Sequence, residues 1–304
     1  MARAHALLLG HGTVENLDDL PPFLANIRHG RPAPPELVSE LRHRYQAIGG
    51  SPLLSISREL TVKLAAELNT PVHLAMRFWH PFLADVLDEA ARAGADVVDV
   101  VPLAPFSAKV YEAETRRAAE ENKKRGRAAP ELRFAADWGT EPALVDAFAA
   151  ALSTALAALD AEAAPHVFFT AHSLPLFVVQ KGDRYPDAVA QTARAVADRA
   201  RLTHPWRIVY QSQGATADPW LGPALRESLT DAAAQGARDV VVCPIGFLSD
   251  HVEILYDLDI EARQWADAAG LRLTRTASLN AGDALVRALG SVVRSTRSGS
   301  ELGV

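Results

Sequence analysis

Short apolar runs alternate along the chain with longer segments whose apolar residues recur at helical spacing. The short runs are rich in β-branched residues and end at polar or glycine-containing turns, which is typical of buried strands. The predicted strands are 4–10, 72–76, 97–101, 132–136, 167–170, 208–211, 240–242 and 271–274. Strands that alternate with helices predict an α/β fold with parallel sheets covered by helices on both faces.

The longer segments are amphipathic and many end at Gly or Pro, as helices do. The predicted helices are 20–27, 36–47, 58–68, 82–93, 110–124, 142–159, 188–201, 224–234, 250–269 and 284–294. The only plausible linker is 160–164, so we predict two domains, 1–160 and 161–304. The last helix is free to pack back on the first domain.

The two halves resemble each other. His11 follows the end of the first predicted strand and His172 follows the end of the fifth, and the segment 96–102 is echoed by 239–244. We therefore expect two similar Rossmann-like domains. Two such domains that face each other would form a cleft between their strand ends, which is a preferred place for a ligand.

Composition limits the possible functions. The chain has 304 residues, 49% hydrophobic and 22% charged, with a net charge of −6, so we expect no nucleic-acid partner. The single cysteine, Cys243, excludes an intrachain disulfide and a cysteine-ligated iron–sulfur cluster built from one chain. No stretch approaches the ~20 apolar residues of a membrane span, and no targeting segment is evident. We expect a soluble, cytoplasmic protein, and a monomer is compatible with the sequence.

Two groups of polar residues stand where chemistry is expected. His172 follows a buried strand, where ligands of open sheets bind, and an imidazole there can titrate near neutral pH and bind metal. Glu253, Asp257 and Glu261 are four residues apart and share one face of a predicted helix, a row of oxygen ligands that suits a divalent cation. Taken alone, His172 is equally compatible with a turn histidine and the acidic row with a solvated face.

A strand-end amide segment and an aromatic loop add a further signal. Gln211 to Gly214 closes a predicted strand, and Trp220 lies in a rigid Trp-Leu-Gly-Pro loop. Polar edges beside an aromatic ring suit a planar apolar ligand. Trp220 itself is better explained as a residue that packs its loop over the core. No strand is followed by the G-x-G-x-x-G pattern of dinucleotide-binding proteins.

Together these segments resemble the ferrochelatase family over nearly the whole chain. Each motif alone is weak, but the set is specific and runs in the family's order. The motifs are Arg44-Tyr45-x-x-Ile48-Gly49-Gly50-Ser51-Pro52, Ala171-His172-Ser173-Leu174-Pro175, Gly182-Asp183-x-Tyr185-Pro186, Gln211-Ser212-x-Gly214, Trp220-Leu221-Gly222-Pro223 and Gly246-Phe247-x-Ser249-Asp250-His251-x-Glu253-x-Leu255-Tyr256-Asp257. The compact N-terminal pattern is most similar to the soluble bacterial branch that metallates coproporphyrin III.

The resemblance implies roles for residues of the second half. His172 matches the histidine thought to take pyrrole protons and to bind iron, and Glu253 matches the carboxylate that faces it across the macrocycle. Asp257 and Glu261 match the acidic residues proposed to guide the metal inward. The resemblance thus makes all four of these residues metal contacts, and makes His172 and Glu253 the catalytic pair. Metallation removes two pyrrole protons, which agrees with a near-neutral base beside a carboxylate.

In the first half, the resemblance implies contacts to the porphyrin or its propionates from Arg28, Arg44, Tyr45 and Ser51. Two positions depart from the family pattern. His11 stands where the soluble branch often has a tyrosine, and a histidine there could ligate the iron axially. Glu114 stands at a second family tyrosine position, for which Tyr111, one turn earlier, is a substitute.

The implied activity is that of a lyase of haem biosynthesis that inserts Fe²⁺ into a porphyrin, most readily coproporphyrin III. Iron is then a substrate, and neither a resident cofactor nor an iron–sulfur cluster is expected. Four propionates need more basic partners than two, with which Arg28, Arg31 and Arg44 are compatible. The alternatives are a protoporphyrin IX ferrochelatase, another tetrapyrrole chelatase such as sirohydrochlorin chelatase, and a non-catalytic haem or porphyrin carrier.

Overall fold

The computed structural model describes residues 2–214 and 218–301, and within them eight strands form two separate parallel sheets. The first sheet has the order β2-β1-β3-β4 and the second the order β6-β5-β7-β8. The strands are β1 (Ala4–Gly10), β2 (Val72–Met76), β3 (Val97–Pro102), β4 (Glu131–Phe134), β5 (His166–His172), β6 (Trp206–Gln211), β7 (Asp239–Cys243) and β8 (Arg272–Arg275). The identical strand order in both sheets confirms the prediction of two similar α/β domains.

The central strands are almost entirely apolar because both of their faces are covered. All residues of β3 and β7 are buried, which is the pattern of parallel strands with helices on both sides. The covering α-helices are α1 (Leu20–Ile27), α2 (Pro35–Ala47), α3 (Leu53–Leu68), α4 (Leu83–Arg92), α5 (Ala108–Lys124), α6 (Pro142–Ala157), α7 (Leu176–Gln180), α8 (Tyr185–Arg199), α9 (Leu225–Ala234), α10 (Val252–Leu255), α11 (Arg263–Ala268) and α12 (Asp283–Glu301).

The chain divides into two compact units that differ from the predicted domains 1–160 and 161–304. The first unit is Met1–Trp138 with Asn280–Val304, and the second is Gly139–Leu279. Helix α6 belongs to the second unit because it packs against α8 and β7. Helix α12 belongs to the first, where it packs against α3, β3 and β4.

A buried carboxylate also holds α12 on the first sheet. Asp99 of β3 is fully buried and accepts hydrogen bonds from Arg133 Nε of β4, at 2.6 Å, and from Arg297 Nε of α12, at 2.7 Å. Asp99 and Arg133 are register partners on neighbouring strands. One aspartate therefore joins the central strand, the edge strand and the last helix of this unit.

Several helices differ from their predictions. Helix α8 begins at Tyr185 rather than at 188, and α12 ends at Glu301 rather than at 294. Helix α3 begins at Leu53 rather than at 58. Proline is well tolerated at the start of a helix, where the backbone N–H that it lacks would have no partner within the helix, so Pro52 does not delay the start. The short α7 has no periodicity to reveal it. The predicted helix 250–269 consists of α10, a π-helical segment Asp257–Ala262 and α11.

Candidate active site

His172 is the last residue of β5, at the carboxyl end of the second sheet. The hydroxyl of Tyr185, the first residue of α8, donates a 3.0 Å hydrogen bond to the backbone carbonyl of His172. The loop after β7 crosses this strand end at Gly246. A Cβ atom at Gly246 would lie 2.7 Å from Ala171 Cα, so only glycine permits this close approach.

Glu253 lies in α10 and faces His172. The distance between His172 Nδ1 and Glu253 Oε2 is 3.0 Å, and both side chains are about one-third exposed. Gln211, at the end of β6, donates a 2.8 Å hydrogen bond from Nε2 to the backbone carbonyl of Glu253. The His172–Glu253 pair is therefore positioned by the ends of β5 and β6 and by the start of α10.

Opposing effects set the basicity of this histidine. Burial lowers the pKa of His172, whereas the charge and hydrogen bond of Glu253 and the charge of Asp257 raise it, and the net direction is upward. Neighbouring His251 has the opposite balance, because burial dominates and lowers its pKa. Its Nε2 lies 4.0 Å from Glu253 Oε2. The carboxylate therefore stands between two imidazoles of different basicity.

The acidic row continues through the π-helical segment. Asp257 is buried and accepts a short hydrogen bond from the hydroxyl of Ser212, while Glu261 is half-buried. The amide of Glu261 donates to Tyr256 O at 2.9 Å, an i→i+5 bond that defines the π turn.

This wider turn explains how residues spaced by four remain aligned. In an α-helix four residues exceed one turn by about 40°, so a row with that spacing drifts around the axis. A π turn contains more residues and reverses the drift. The apolar row Ile254, Leu258, Ala262 and Ala266, also spaced by four, is fully buried against the sheet as a result.

The four predicted metal contacts are all in the second unit. His172 and Glu253 are paired, and Asp257 and Glu261 follow along the π segment. Among the described residues, no group of three or more His, Cys, Asp or Glu side chains is arranged to hold a metal ion. The role of these four residues toward iron stays a prediction.

In the first unit, His11 follows β1 and is exposed, with its ring edge-on to Phe78 at a centroid distance of 4.8 Å. Tyr111 is buried in α5. Its ring centroid lies 5.7 Å from the guanidinium carbon of Arg77, which also donates a 3.1 Å hydrogen bond to Glu114. Tyr111 and Glu114, the residue at the second family tyrosine position, therefore both contact Arg77.

The other predicted porphyrin contacts of the first unit differ in the hydrogen bonds that they make within the protein. Arg28 is half-buried, and its buried Nε has no hydrogen-bond partner among the described residues. Arg44 donates to Glu40 at 2.8 Å, and Ser51 Oγ accepts a 3.4 Å bond from the amide of Leu53. Tyr45 is buried, and its hydroxyl pairs with Thr13 Oγ1 at 2.8 Å.

The structure also shows site contacts of residues to which the sequence assigned no individual role. They are Arg77, Tyr185, Gln211, Ser212, His251 and Arg275. Arg77 and Arg275 each occupy the first position after a predicted strand, and His172 occupies the second position after another. A search for charged residues at every strand end would have found them.

A family model described as Ferrochelatase matches residues 5–297. The chain belongs to the ferrochelatase family. It is therefore an enzyme, a lyase of haem biosynthesis that inserts ferrous iron into a porphyrin, and not a non-catalytic carrier.

Curated ferrochelatases match along almost their full length. "Ferrochelatase" from Herpetosiphon aurantiacus is 37% identical over 305 residues, which cover 96% of this chain and 98% of that protein. "Coproporphyrin III ferrochelatase" from Halalkalibacterium halodurans is 32% identical and covers 95% of both chains.

Solved chelatases share the fold of this ferrochelatase. SirB from Bacillus subtilis with Fe³⁺ has a TM-score of 0.59 at 14% identity, covering 98% of this chain and 97% of that chain. CbiX, the terminal enzyme for biosynthesis of sirohaem in denitrifying bacteria, has a TM-score of 0.54 at 13% identity, covering 96% and 98%. Both confirm the chelatase-like fold. Within the described residues of this ferrochelatase, none of the helices has the length and apolarity needed to cross a bilayer.

Proposed function

We propose that this ferrochelatase metallates coproporphyrin III, and that His172 and Glu253 remove the pyrrole protons. The observation that carries the catalytic assignment is the 3.0 Å contact between His172 Nδ1 and Glu253 Oε2 at a strand end. A histidine paired with a carboxylate is an effective general base, because the carboxylate fixes the ring and stabilises the imidazolium that forms.

The proton balance of the reaction gives each group a task. Fe²⁺ and a neutral porphyrin yield the metalloporphyrin and two protons, as bonds from iron to the ring nitrogens replace two N–H bonds. Because Nδ1 of His172 faces Glu253, Nε2 is the nitrogen that accepts a proton from the substrate. The Glu253 carboxylate accepts the second proton, and both protons then pass to solvent. Asp257 and Glu261 form the acidic path along which the metal arrives.

Two observations support coproporphyrin III rather than protoporphyrin IX. Several relatives that match nearly the whole chain at 32–33% identity are coproporphyrin III ferrochelatases. The buried Nε of Arg28 has no hydrogen-bond partner in the part of the chain that the structure describes, and exposed Arg31 lies beside it, with its own Nε bonded to the Arg28 carbonyl. A porphyrin with four propionates meets more such cations than one with two.

The other predicted porphyrin contacts follow from their positions. His11 contributes an exposed imidazole at the end of β1, and Arg44 and Ser51 contribute polar groups around α2 and the start of α3. Tyr45 acts through Thr13, whose hydroxyl it binds two residues beyond His11. Tyr111 supports the ring of the substrate together with Arg77.

We further propose that iron is handled only as a substrate, without a resident cofactor, and that the enzyme works in the cytoplasm. Reducing conditions there keep iron ferrous. Metal analysis of the purified protein and fractionation of the source cells test both statements. Stoichiometric bound metal that is essential but not incorporated, or activity confined to another fraction, would contradict them.

The deciding experiment is an anaerobic substrate panel with Fe²⁺ and purified protein. We expect a higher kcat/KM for coproporphyrin III than for protoporphyrin IX, and a loss of at least about 100-fold in His172→Ala. His166→Ala, at the opposite end of the same strand, is the matched control and should stay active. A preference for protoporphyrin IX would refute the substrate assignment, and full activity in His172→Ala would refute the base.

A further inference from the structure

The π-helical segment Asp257–Ala262 needs contacts that hold it, because π turns are rare and occur mostly as single turns within α-helices. Its buried face packs on the sheet through Leu258 and Ala262. Apolar packing of this kind fixes the side of the helix that faces the core, but it does not by itself select the i→i+5 bond at Tyr256.

Arg275, the last residue of β8, supplies a directional contact to this turn. Its Nε donates to Asp259 Oδ1 at 2.7 Å and its Nη2 to Asp259 Oδ2 at 2.8 Å, so the fork of the guanidinium matches both carboxylate oxygens. The Arg275 side chain is only 14% exposed. Bidentate bonds of this type are strong and fix orientation as well as distance.

The same guanidinium reaches the residues that precede Glu253. Nη1 of Arg275 donates to Thr276 O at 3.0 Å and to Ser278 Oγ at 3.2 Å. The hydroxyl of Ser278 in turn donates to Asp250 Oδ1 at 2.6 Å, and Arg275 Nη1 lies 3.5 Å from that oxygen. One cation is therefore tied to Asp250, before Glu253 in the chain, and to Asp259, after it.

We propose that Arg275 is a positioning residue for metallation: its fork on Asp259 and its link to Asp250 hold the π turn that presents Glu253 and Asp257. The proposal rests on the function proposed above for these two carboxylates. Arg275 itself touches neither iron nor porphyrin. Its planar fork is essential because a lysine at this position carries the charge but cannot bind both Asp259 oxygens at once.

The chain offers a matched control in Arg272, three residues earlier on the same strand. Arg272 makes the same kind of fork, from Nε to Asp239 Oδ1 at 2.7 Å and from Nη2 to Asp239 Oδ2 at 2.9 Å. Asp239 lies in β7, so this pair joins two strands and not the π turn. Any general effect of losing an arginine–aspartate pair on β8 should appear in both variants.

The kinetic test compares Arg275→Gln, Arg275→Lys and Arg272→Gln in the anaerobic coproporphyrin assay. We expect Arg275→Gln to lower kcat and raise KM for Fe²⁺, together by about 10- to 100-fold, with KM for the porphyrin unchanged. Arg275→Lys should remain impaired and Arg272→Gln should keep both constants. Wild-type constants in Arg275→Gln or in Arg275→Lys, or an equal loss in Arg272→Gln, would overturn the proposal.

Hydrogen exchange tests the same inference without substrate. In Arg275→Gln, protection of the 257–262 amides, above all that of Glu261, should fall at least about tenfold, and in Arg272→Gln it should stay. Asp259→Asn is the second variant, because it keeps the side-chain size and should lose protection in the same segment. Unchanged protection in both Arg275→Gln and Asp259→Asn overturns the proposal, whereas a wild type inactive on porphyrins contradicts only the proposed function.

Discussion

The His172–Glu253 pair is held through main-chain as well as side-chain atoms. Tyr185 binds the carbonyl of His172, and Gln211 binds the carbonyl of Glu253, although the two paired residues are 81 positions apart in sequence. These bonds fix the backbone from which each side chain departs. In the catalytic role proposed for it, the pair meets the substrate with little reorganisation, which is how catalytic groups gain rate from orientation.

Removal of the Tyr185 hydroxyl tests this arrangement. In Tyr185→Phe the His172 carbonyl loses a buried donor, so the free energy of unfolding should fall by about 1–3 kcal/mol. The kcat should fall too, because His172 is no longer fixed, while KM for the porphyrin should stay. Urea unfolding and steady-state kinetics give both numbers, and an unchanged kcat would show that this bond does not orient the base.

At the scale of residues, the sequence was sufficient to identify candidate site residues but not the residues that they contact. His172 could be selected because it ends a strand, and Glu253 because it begins a row of carboxylates. Tyr185, Gln211 and Arg275 could not be assigned their contacts, because those depend on which strand ends lie side by side. That information is carried by the sheet order and not by local spacing.

At the scale of elements, buried aspartates bind arginines of neighbouring elements in both sheets. In the first sheet Asp99 binds its register partner Arg133 and also Arg297 of α12, and in the second sheet Asp239 binds its register partner Arg272. The recurrence agrees with the internal similarity of the two halves. Asp99 is the more deeply buried of the two aspartates.

Asp99→Asn should destabilise the first unit strongly. The change leaves two arginines without their carboxylate, and breaking a buried ion pair costs about 3–5 kcal/mol of the free energy of unfolding. Asp96→Asn is the control, since its pair with Arg3 is exposed and contributes about 1 kcal/mol or less. Urea unfolding of both variants checks the difference, and equal stabilities would contradict it.

The neighbouring strands β1 and β2 carry a pair of stacked histidines. His5 Nδ1 and His73 Nε2 are 3.0 Å apart, so one ring must donate and the other accept. Burial lowers both pKa values. The charge of Arg3 adds to this effect at His5, where Asp96 opposes it, and His5 adds to it at His73.

Acid should therefore weaken the protein through this pair. Because the folded pKa values lie below the unfolded value of about 6.5, the stabilisation is complete above that pH and is lost as the pH falls through the folded values. In His73→Gln the decrease of the urea midpoint between pH 7.5 and 5 should be smaller than in wild type. Equal pH dependence in wild type and His73→Gln would refute the assignment.

The π segment shows why one element could not be foreseen. The helical pattern of 250–269 predicts one α-helix, and the carboxylates and apolar residues spaced by four are compatible with it. Only the length of both rows, which would drift in an α-helix, hints at a wider turn. The contacts of Asp257 and Asp259 with Ser212 and Arg275 then decide the geometry.

For the whole molecule, the alternation of strands and helices was sufficient to predict two similar parallel α/β halves. The motifs also led to the family to which the chain belongs. The division of the chain was harder to foresee, because it depends on where two helices pack. Neither the composition of α6 nor that of α12 states which sheet each will cover. The boundaries of the two units therefore fall just before these helices, after Trp138 and after Leu279, and not at the predicted linker 160–164.

The placement of α12 has a consequence for synthesis on the ribosome. Its buried residues Leu285, Leu289 and Val293, with Arg297 reaching Asp99, complete a core whose other parts precede the entire second unit in the chain. While the second unit emerges, the nascent first unit keeps an uncovered apolar face on α3, β3 and β4. Such faces favour chaperone binding and aggregation, and the first unit can reach its native state only after α12 has been translated.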